Sequence, residues 1–301
     1  MFKKRKYILI SLYVLVCLVA GLTAGYAGAD YYTSANKKPV PVAKQVKTVT
    51  KTPQKDVNQV TTMPAGDLPG WKQIFADDFT VDAAIGAMGS DSNAGKIVYT
   101  GANGTKWVTY PKTYLDTYQK RPYRSDKVLS VHDGNLDFYL HSVDGQPAGA
   151  NPSPVIDGTS QYQTYGRYSA RFKLDSDTSM NEYYIAWLLW PENDIDWQCA
   201  ESDFPEMPLD DNKVKVAAHY GCKGQEDIIY KSIDVKQWHT YTQEWLPGKR
   251  NYYLDDVLIG SSTNQVFNKP QRWQLQTETK GYGNNSGHLL VDWAVVYKYS
   301  P

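Results

Sequence analysis

Apolar and polar positions alternate along much of the chain beyond residue 70, as in Leu136-Asp137-Phe138-Tyr139-Leu140 and Tyr168-Ser169-Ala170-Arg171-Phe172-Lys173-Leu174. A period of two places one set of side chains on a buried face and the other towards solvent, so these runs read as half-buried β-strands. The same reading assigns strands to 71–79, 128–141, 161–174, 183–190, 198–204, 213–221, 227–233, 238–246, 249–258, 270–277 and 288–298. Asp255-Asp256, between Tyr252-Tyr253-Leu254 and Val257-Leu258-Ile259, marks a hairpin. No long segment carries the 3.6-residue period of an amphipathic helix. Many strands with turn signals between them predict an all-β chain, an antiparallel β-sandwich of the jelly-roll kind. Residues 80–127, rich in Gly, Asn, Thr and Tyr, read as loops over one face.

The first 68 residues follow different rules. Lys3-Lys4-Arg5-Lys6 precedes an apolar run from Tyr7 to about Ala29 that contains the small-residue stretch Ala27-Gly28-Ala29. Residues 1–29 are therefore expected to be a cleaved export signal or an uncleaved membrane anchor with its basic end in the cytoplasm. Either outcome exports the rest of the chain, to the extracellular space or to the outer face of the cytoplasmic membrane. Residues 30–68, rich in Lys, Thr, Val, Pro and Gln without apolar periodicity, read as a disordered basic linker. The folded domain is expected over 69–301.

Composition narrows the partners. The formal net charge is zero, which leaves no basic excess for nucleic acid. Tyr (24) and Trp (9) outnumber Phe (7), and amphipathic aromatics suit a surface that meets sugars as well as a β-rich core. Of three cysteines, Cys17 lies in the apolar leader. Cys199 and Cys222 stand nearly symmetrically about the turn signal Asp210-Asp211-Asn212. In an exported chain this pair reads as a disulfide, the alternative being two buried thiols.

The most chemically loaded stretch is Glu201-Ser202-Asp203-Phe204-Pro205-Glu206. On a strand Glu201 and Asp203 share a face and Glu206 would point away. A β-bulge at Phe204-Pro205 would turn Glu206 back to that face, and proline, unable to donate to a ladder, suits a bulge. Three carboxylates on one face are costly unless the site uses them. Two carboxyls across a short gap are what glycoside hydrolysis requires.

Residues 71–301 resemble glycoside hydrolase family 16, the laminarinase and β-glucanase group. The resemblance is carried by blocks in order: Phe75-Ala76-Asp77-Asp78-Phe79, Tyr165-Gly166-Arg167-Tyr168-Ser169-Ala170-Arg171-Phe172-Lys173, Ala186-Trp187-Leu188-Leu189-Trp190-Pro191, the acidic stretch, Trp238-His239-Thr240-Tyr241 with Glu244-Trp245, and Leu290-Val291-Asp292-Trp293-Ala294-Val295-Val296-Tyr297. Ala200 and Ser202 depart from the usual Gly and Ile around the first glutamate.

The resemblance implies a jelly roll with a long concave substrate cleft. It also implies an endo-acting retaining glycosidase on a β-linked polysaccharide, in first place a β-1,3- or mixed-linked glucan, and a monomer. Glu201 would be the nucleophile, Glu206 the general acid and base with its pKa raised by carboxylate neighbours, and Asp203 the hydrogen-bonding partner between them. Trp187 and Arg171 match family residues that reach the sugar, while Trp197, Gln276 and His219 are further candidates for contact. Catalysis would need no cofactor. Family members often carry one structural calcium on the convex face, for which Asp78, the Gly134 carbonyl and Asp292 are the candidates. Two alternatives remain: a cell-surface transglycosylase using the same covalent intermediate, and a non-catalytic carbohydrate-binding module on the same fold.

Overall fold

The computed structural model describes residues 62–301. The readings for 1–29 and for most of 30–68 lie outside the described residues. Two antiparallel sheets face each other. The outer sheet has eight strands, seven of them in the order Val257–Ser262, Lys249–Leu254, His239–Leu246, Gly166–Asp175, Gly287–Tyr299, Asn135–Leu140 and Leu129–His132. Its eighth strand, Trp71–Asp77, pairs with the C-terminal half of Gly287–Tyr299, while Asn135–Leu140 pairs with its N-terminal half. The inner sheet has six strands in the order Gln225–Ser232, Lys213–Tyr220, Ser202–Pro208, Tyr183–Pro191, Gln271–Thr279 and Tyr162–Gln163. The jelly-roll sandwich expected from the alternation is thus present.

The core lies between the sheets and is aromatic. Phe172 of the outer sheet stacks on Tyr241 with ring centroids 4.4 Å apart and meets Trp187 of the inner sheet at 4.5 Å. Phe204 stands edge-on to both Tyr241 and Tyr252. The Asp255-Asp256 hairpin forms, with both aspartates at positive φ (50° and 61°), as a two-residue type I′ turn demands. The 80–127 region is mostly loop, with short strands at Tyr99–Thr100 and Lys106–Thr109. Asp77 anchors it: the buried carboxylate accepts hydrogen bonds from Thr105 Oγ1, Trp107 Nε1 and the Phe79 amide.

Several expectations are corrected. Residues 198–200 are not strand: Trp197–Ala200 forms one helical turn, entered through a 3₁₀ turn at Asp194–Asp196 that Asn193 caps. Trp187 does not face the cleft. Along Tyr183–Pro191 the inward set is Tyr183, Ile185, Trp187 and Leu189, and the opposite set is Tyr184, Ala186, Leu188 and Trp190. Register fixes the parity, because Ala186 stands opposite both Glu206 and Gln276. Trp187 is therefore fully buried between the sheets, and Trp190 is the tryptophan on the cleft side.

Arg171 does not reach the cleft either, because its strand belongs to the outer sheet. It sits over the Trp238 ring and pairs with Asp292 at 2.5 Å, on the face away from the core. That pairing also bears on calcium. Asp292 occupies a bulge between the end of Trp71–Asp77 and the start of Asn135–Leu140. Its carboxylate is neutralised by Arg171, and Asp78 Oδ1 accepts from Thr80 Oγ1. A calcium ion there would have to share the oxygens of Asp292 and Asp78 with Arg171 and Thr80.

The parity of the tryptophans is testable by denaturant unfolding. Trp187→Ala should cost about 3–5 kcal/mol of stability, the range for emptying a buried aromatic site. Trp190→Ala should cost less than half as much. Equal losses would contradict the assignment of faces.

Candidate active site

The acidic stretch lies on Ser202–Pro208, the third strand of the inner sheet, with Glu201 at its entry. Its register slips against both neighbours at one place. Asp203 faces Leu188 and Glu206 faces Ala186, three residues against two. On the other side Asp203 faces Ala217 and Glu206 faces Lys215, again three against two. This is the bulge the sequence predicts, at Phe204-Pro205, whose peptide bond is cis. Phe204 turns into the core, and Glu201, Asp203 and Glu206 line one open cleft.

Their neighbours come from four other strands of this sheet. Lys215 and His219 rise from Lys213–Tyr220, Glu226 from Gln225–Ser232, Tyr184 and Ala186 from Tyr183–Pro191, and Gln276 and Glu278 from Gln271–Thr279. Trp197 stands at the rim, 38% exposed, with its ring 5.7 Å from that of His219. The cleft thus gathers Trp197, Gln276 and His219 as expected. It also contains Tyr118, Tyr184, Lys215, Glu226 and Glu278, which sequence reasoning missed. The parity of Ala186 and Gln276 would have found Tyr184 and Glu278. Tyr118 had no signal, since it sits on a loop. That loop is fastened to the cleft wall: Thr117 N donates to Glu278 Oε1 at 2.7 Å, and Asp116 accepts from the amide and hydroxyl of Thr279.

The entry to Glu201 is also fastened. Its amide donates to the Trp197 carbonyl and its carbonyl accepts from the His219 amide. Cys199 and Cys222 form the expected disulfide, tying the helical turn before Glu201 to the segment after His219 and Tyr220. Gln276 accepts from Asn151 Nδ2 at 3.1 Å, which fixes its amide at the cleft wall.

Charge in the cleft is unevenly held. Lys215 Nζ lies 2.7 Å from Glu206 Oε2, and the Tyr184 hydroxyl donates to Glu206 Oε1 at 2.5 Å. Burial works against the lysine's charge, but Glu206 more than restores it and its pKa is raised. Burial is also the main force on Glu201, followed by the charge of Glu206. Together they push Glu201 up to about 8, against a pull downward from its hydrogen bond with Asp203. Asp203 is pushed well above the carboxylate range by burial and then by Glu201 and Glu206. Sequence reasoning placed the upward shift on Glu206. Upward shifts stand on Glu201 and Asp203, from burial and their carboxylate neighbours. Burial lowers the pKa of His219, whose Nε2 lies 3.9 Å from Glu201 and 3.7 Å from Glu226.

The three bulge-gathered carboxylates thus floor an open cleft on a two-sheet antiparallel sandwich. The model of the glycosyl hydrolases family 16 matches residues 118–293, and the chain belongs to that family. Among curated relatives, a beta-glucanase of Paenibacillus polymyxa is 26% identical over 152 residues, 49% of this chain and 60% of the relative. A beta-glucanase of Bacillus subtilis is 26% identical over 110 residues, 35% of this chain and 43% of the relative. The chain thus spans less than two thirds of the length of these relatives. Among solved structures, an endo-beta-1,3-glucanase from Pyrococcus furiosus aligns with a TM-score of 0.57 at 15% identity, covering 78% of this chain and 97% of that one. An endo-β-galactosidase from Clostridium perfringens aligns with a TM-score of 0.56 at 19% identity, covering 78% and 65%. At these identities the likeness is one of fold.

The raised Glu201 makes a signed prediction. Between the ordinary glutamate value of 4.5 and about 8, the unfolded chain has released this proton while the folded chain keeps it. Stability must therefore fall as pH rises through that window. Glu201→Gln lacks the proton and escapes the loss. Thermal melts of the two proteins should diverge by a few degrees across the window in favour of the variant and run parallel above it. A gap that does not change with pH would show that no proton is held there.

Proposed function

We propose that this chain is an exported endo-acting glycosidase that cleaves a β-linked glucan with retention of configuration. One observation carries the reading: the bulge in Ser202–Pro208 brings Glu201, Asp203 and Glu206 onto one face of an open cleft. The substrate class is supported by the names of the relatives, which are β-glucanases and an endo-β-1,3-glucanase, and a β-1,3- or mixed-linked glucan is the first candidate. Export is supported by the basic and apolar N-terminal pattern and by the Cys199–Cys222 disulfide.

In this reading Glu201 attacks the anomeric carbon while Glu206 gives a proton to the departing oxygen. A covalent glycosyl–enzyme forms, and Glu206 then takes a proton from the water that releases it. No cofactor is needed, because the carboxyls supply both the nucleophile and the proton. Asp203 bonds to Glu201 and shares the burden of charge at its side. The route needs the charge on Glu201 and the proton on Glu206 at the moment of attack. In the free cleft a cation sits at Glu206 and burial favours a proton on Glu201. Release of Lys215 from Glu206 as sugar enters is what lets the cluster redistribute its proton.

Product release from a panel of β-glucans and galactans, compared between the unmodified chain and Glu201→Gln, tests the proposal. Oligosaccharides from a β-glucan, with turnover lowered by at least about a thousandfold in the variant and polymer binding kept, are expected. Products longer than the supplied oligosaccharide would move the reading to a transglycosylase. Binding without products from any polymer would move it to a binding module.

A further inference from the structure

Beneath the nucleophile lies a buried cation that the reaction scheme does not use. Arg250 belongs to Lys249–Leu254 of the outer sheet, is 2% exposed, and reaches across the sandwich to the inner sheet. Its Nη2 donates to the Ala200 carbonyl at 2.6 Å and its Nη1 to the Glu201 carbonyl at 3.4 Å. Gln271 Nε2 donates to the same Ala200 carbonyl at 2.8 Å, and its Oε1 lies 3.5 Å from Arg250 Nη2. One strand step further on, Ser202 Oγ bonds the Tyr252 hydroxyl at 2.8 Å and Gln243 at 3.2 Å. The core under Glu201 is thus a polar plug inside an otherwise aromatic interior.

A guanidinium taken out of water costs several kcal/mol unless an anion answers it. Among the described residues Arg250 has no carboxylate partner, and its Nε is buried without a hydrogen bond. Holding two strands together does not require such a group, since Tyr252 and Leu254, inward on the same strand, bridge the sheets with apolar surface. The anions that answer Arg250 are above it. Desolvation works against its charge, and Tyr252, Asp203 and Asp227 work for it.

We propose that Arg250 is a positioning residue for the nucleophile, fixing the Ala200–Glu201 backbone from the core side and supplying the positive charge against which the carboxylate cluster ionises. The groups facing Glu201 are Asp203 and Glu206 on its own strand, Lys215 and His219 from Lys213–Tyr220, Glu226 from Gln225–Ser232 and Glu278 from Gln271–Thr279. His219 is kept neutral by burial. Five carboxylates therefore share two cations, Lys215 on the solvent side and Arg250 on the core side. Lys215 is engaged at Glu206, and the carboxylate of the cluster whose charge bears on Arg250 is Asp203, the hydrogen-bonding partner of Glu201.

The catalytic part of this inference rests on the glycosidase reading, but its electrostatic part can be read without substrate. Carboxyl-labelled protein would be titrated by carbon NMR, and kcat and KM measured on the glucan, for the full chain, Arg250→Gln and Arg250→Lys. Glutamine keeps one hydrogen bond and loses the charge, so the Glu201–Asp203 titration should move to higher pH by at least about half a unit. Its kcat should fall at least about tenfold with KM within about twofold. Lysine keeps the charge and loses the fork, so its titration should match the unmodified chain while kcat falls. An unmoved titration and unchanged kcat in a folded Arg250→Gln overturn the proposal. Should Arg250→Gln fail to fold, Arg250→Lys decides alone: an upward titration shift or an unchanged kcat overturns it. Absence of turnover in the unmodified chain counts against the glycosidase reading only, because the titration does not depend on it.

Discussion

The site depends on one irregularity, the extra residue in Ser202–Pro208. A regular strand would send Glu206 into the core, where an unpaired carboxylate is prohibitive, or would turn Glu201 and Asp203 there instead. The bulge resolves this by spending Phe204 on the core and returning the strand to the cleft face three residues after Asp203. It can do so only because both neighbouring strands accept the slip at the same place. Phe204 locks it, edge-on to Tyr241 and Tyr252 of the opposite sheet. The aromatic core and the acidic cleft are therefore two faces of one constraint, and shifting the register on one face would scatter the carboxylates on the other.

Gathering like charges has consequences on both sides of the strand. Above it, Lys215 and Tyr184 hold Glu206. Below it, Arg250, Gln271, Ser202, Gln243 and Tyr252 replace what a sandwich would normally fill with aliphatic side chains. Ser202 stands where the family usually has isoleucine, and with Tyr252 and Gln243 as partners a hydroxyl there is satisfied. Buried polar groups are tolerable when every member finds a partner. In this plug the exceptions, Arg250 Nε and Gln243 Nε2, lie directly under the acids.

Much of this was legible in the residues. Strand alternation was clear wherever one face meets solvent, as along Asn135–Leu140. The acid spacing with a proline inside it could be read as a bulge, because proline and a period-two conflict point to the same position. Trp187 was misplaced for a physical reason. Tyr183–Leu189 is buried on both faces, one by the other sheet and one by the cleft and its loops, so no polar residue marks which parity is which. Arg171 was misplaced because membership of one sheet or the other is a long-range property that a strand's own pattern does not carry. Residues 198–200 read as strand, at the head of the 198–204 run. What makes them helical is the Asn193 cap, the 3₁₀ entry and the tether from Cys199 to Cys222.

The inner-sheet face is completed by residues from a different part of the chain from the acidic stretch. The family match begins at residue 118, yet one wall of the inner-sheet face is completed by residues before it. Arg272, on the same face of its strand as Gln276 and Glu278, lies over the rings of Tyr110 and Tyr162, and Tyr110 packs on Tyr114. Among the described residues this guanidinium has no carboxylate partner, and its Nε is buried without a hydrogen bond. Its Nη2 donates to the Tyr110 hydroxyl, which ties the strand to the loop before residue 118. The loop that carries Tyr118 is anchored through Asp116 to Thr279 and through Thr117 to Glu278, so the cleft wall depends on contacts between loop and sheet as well as on the bulge.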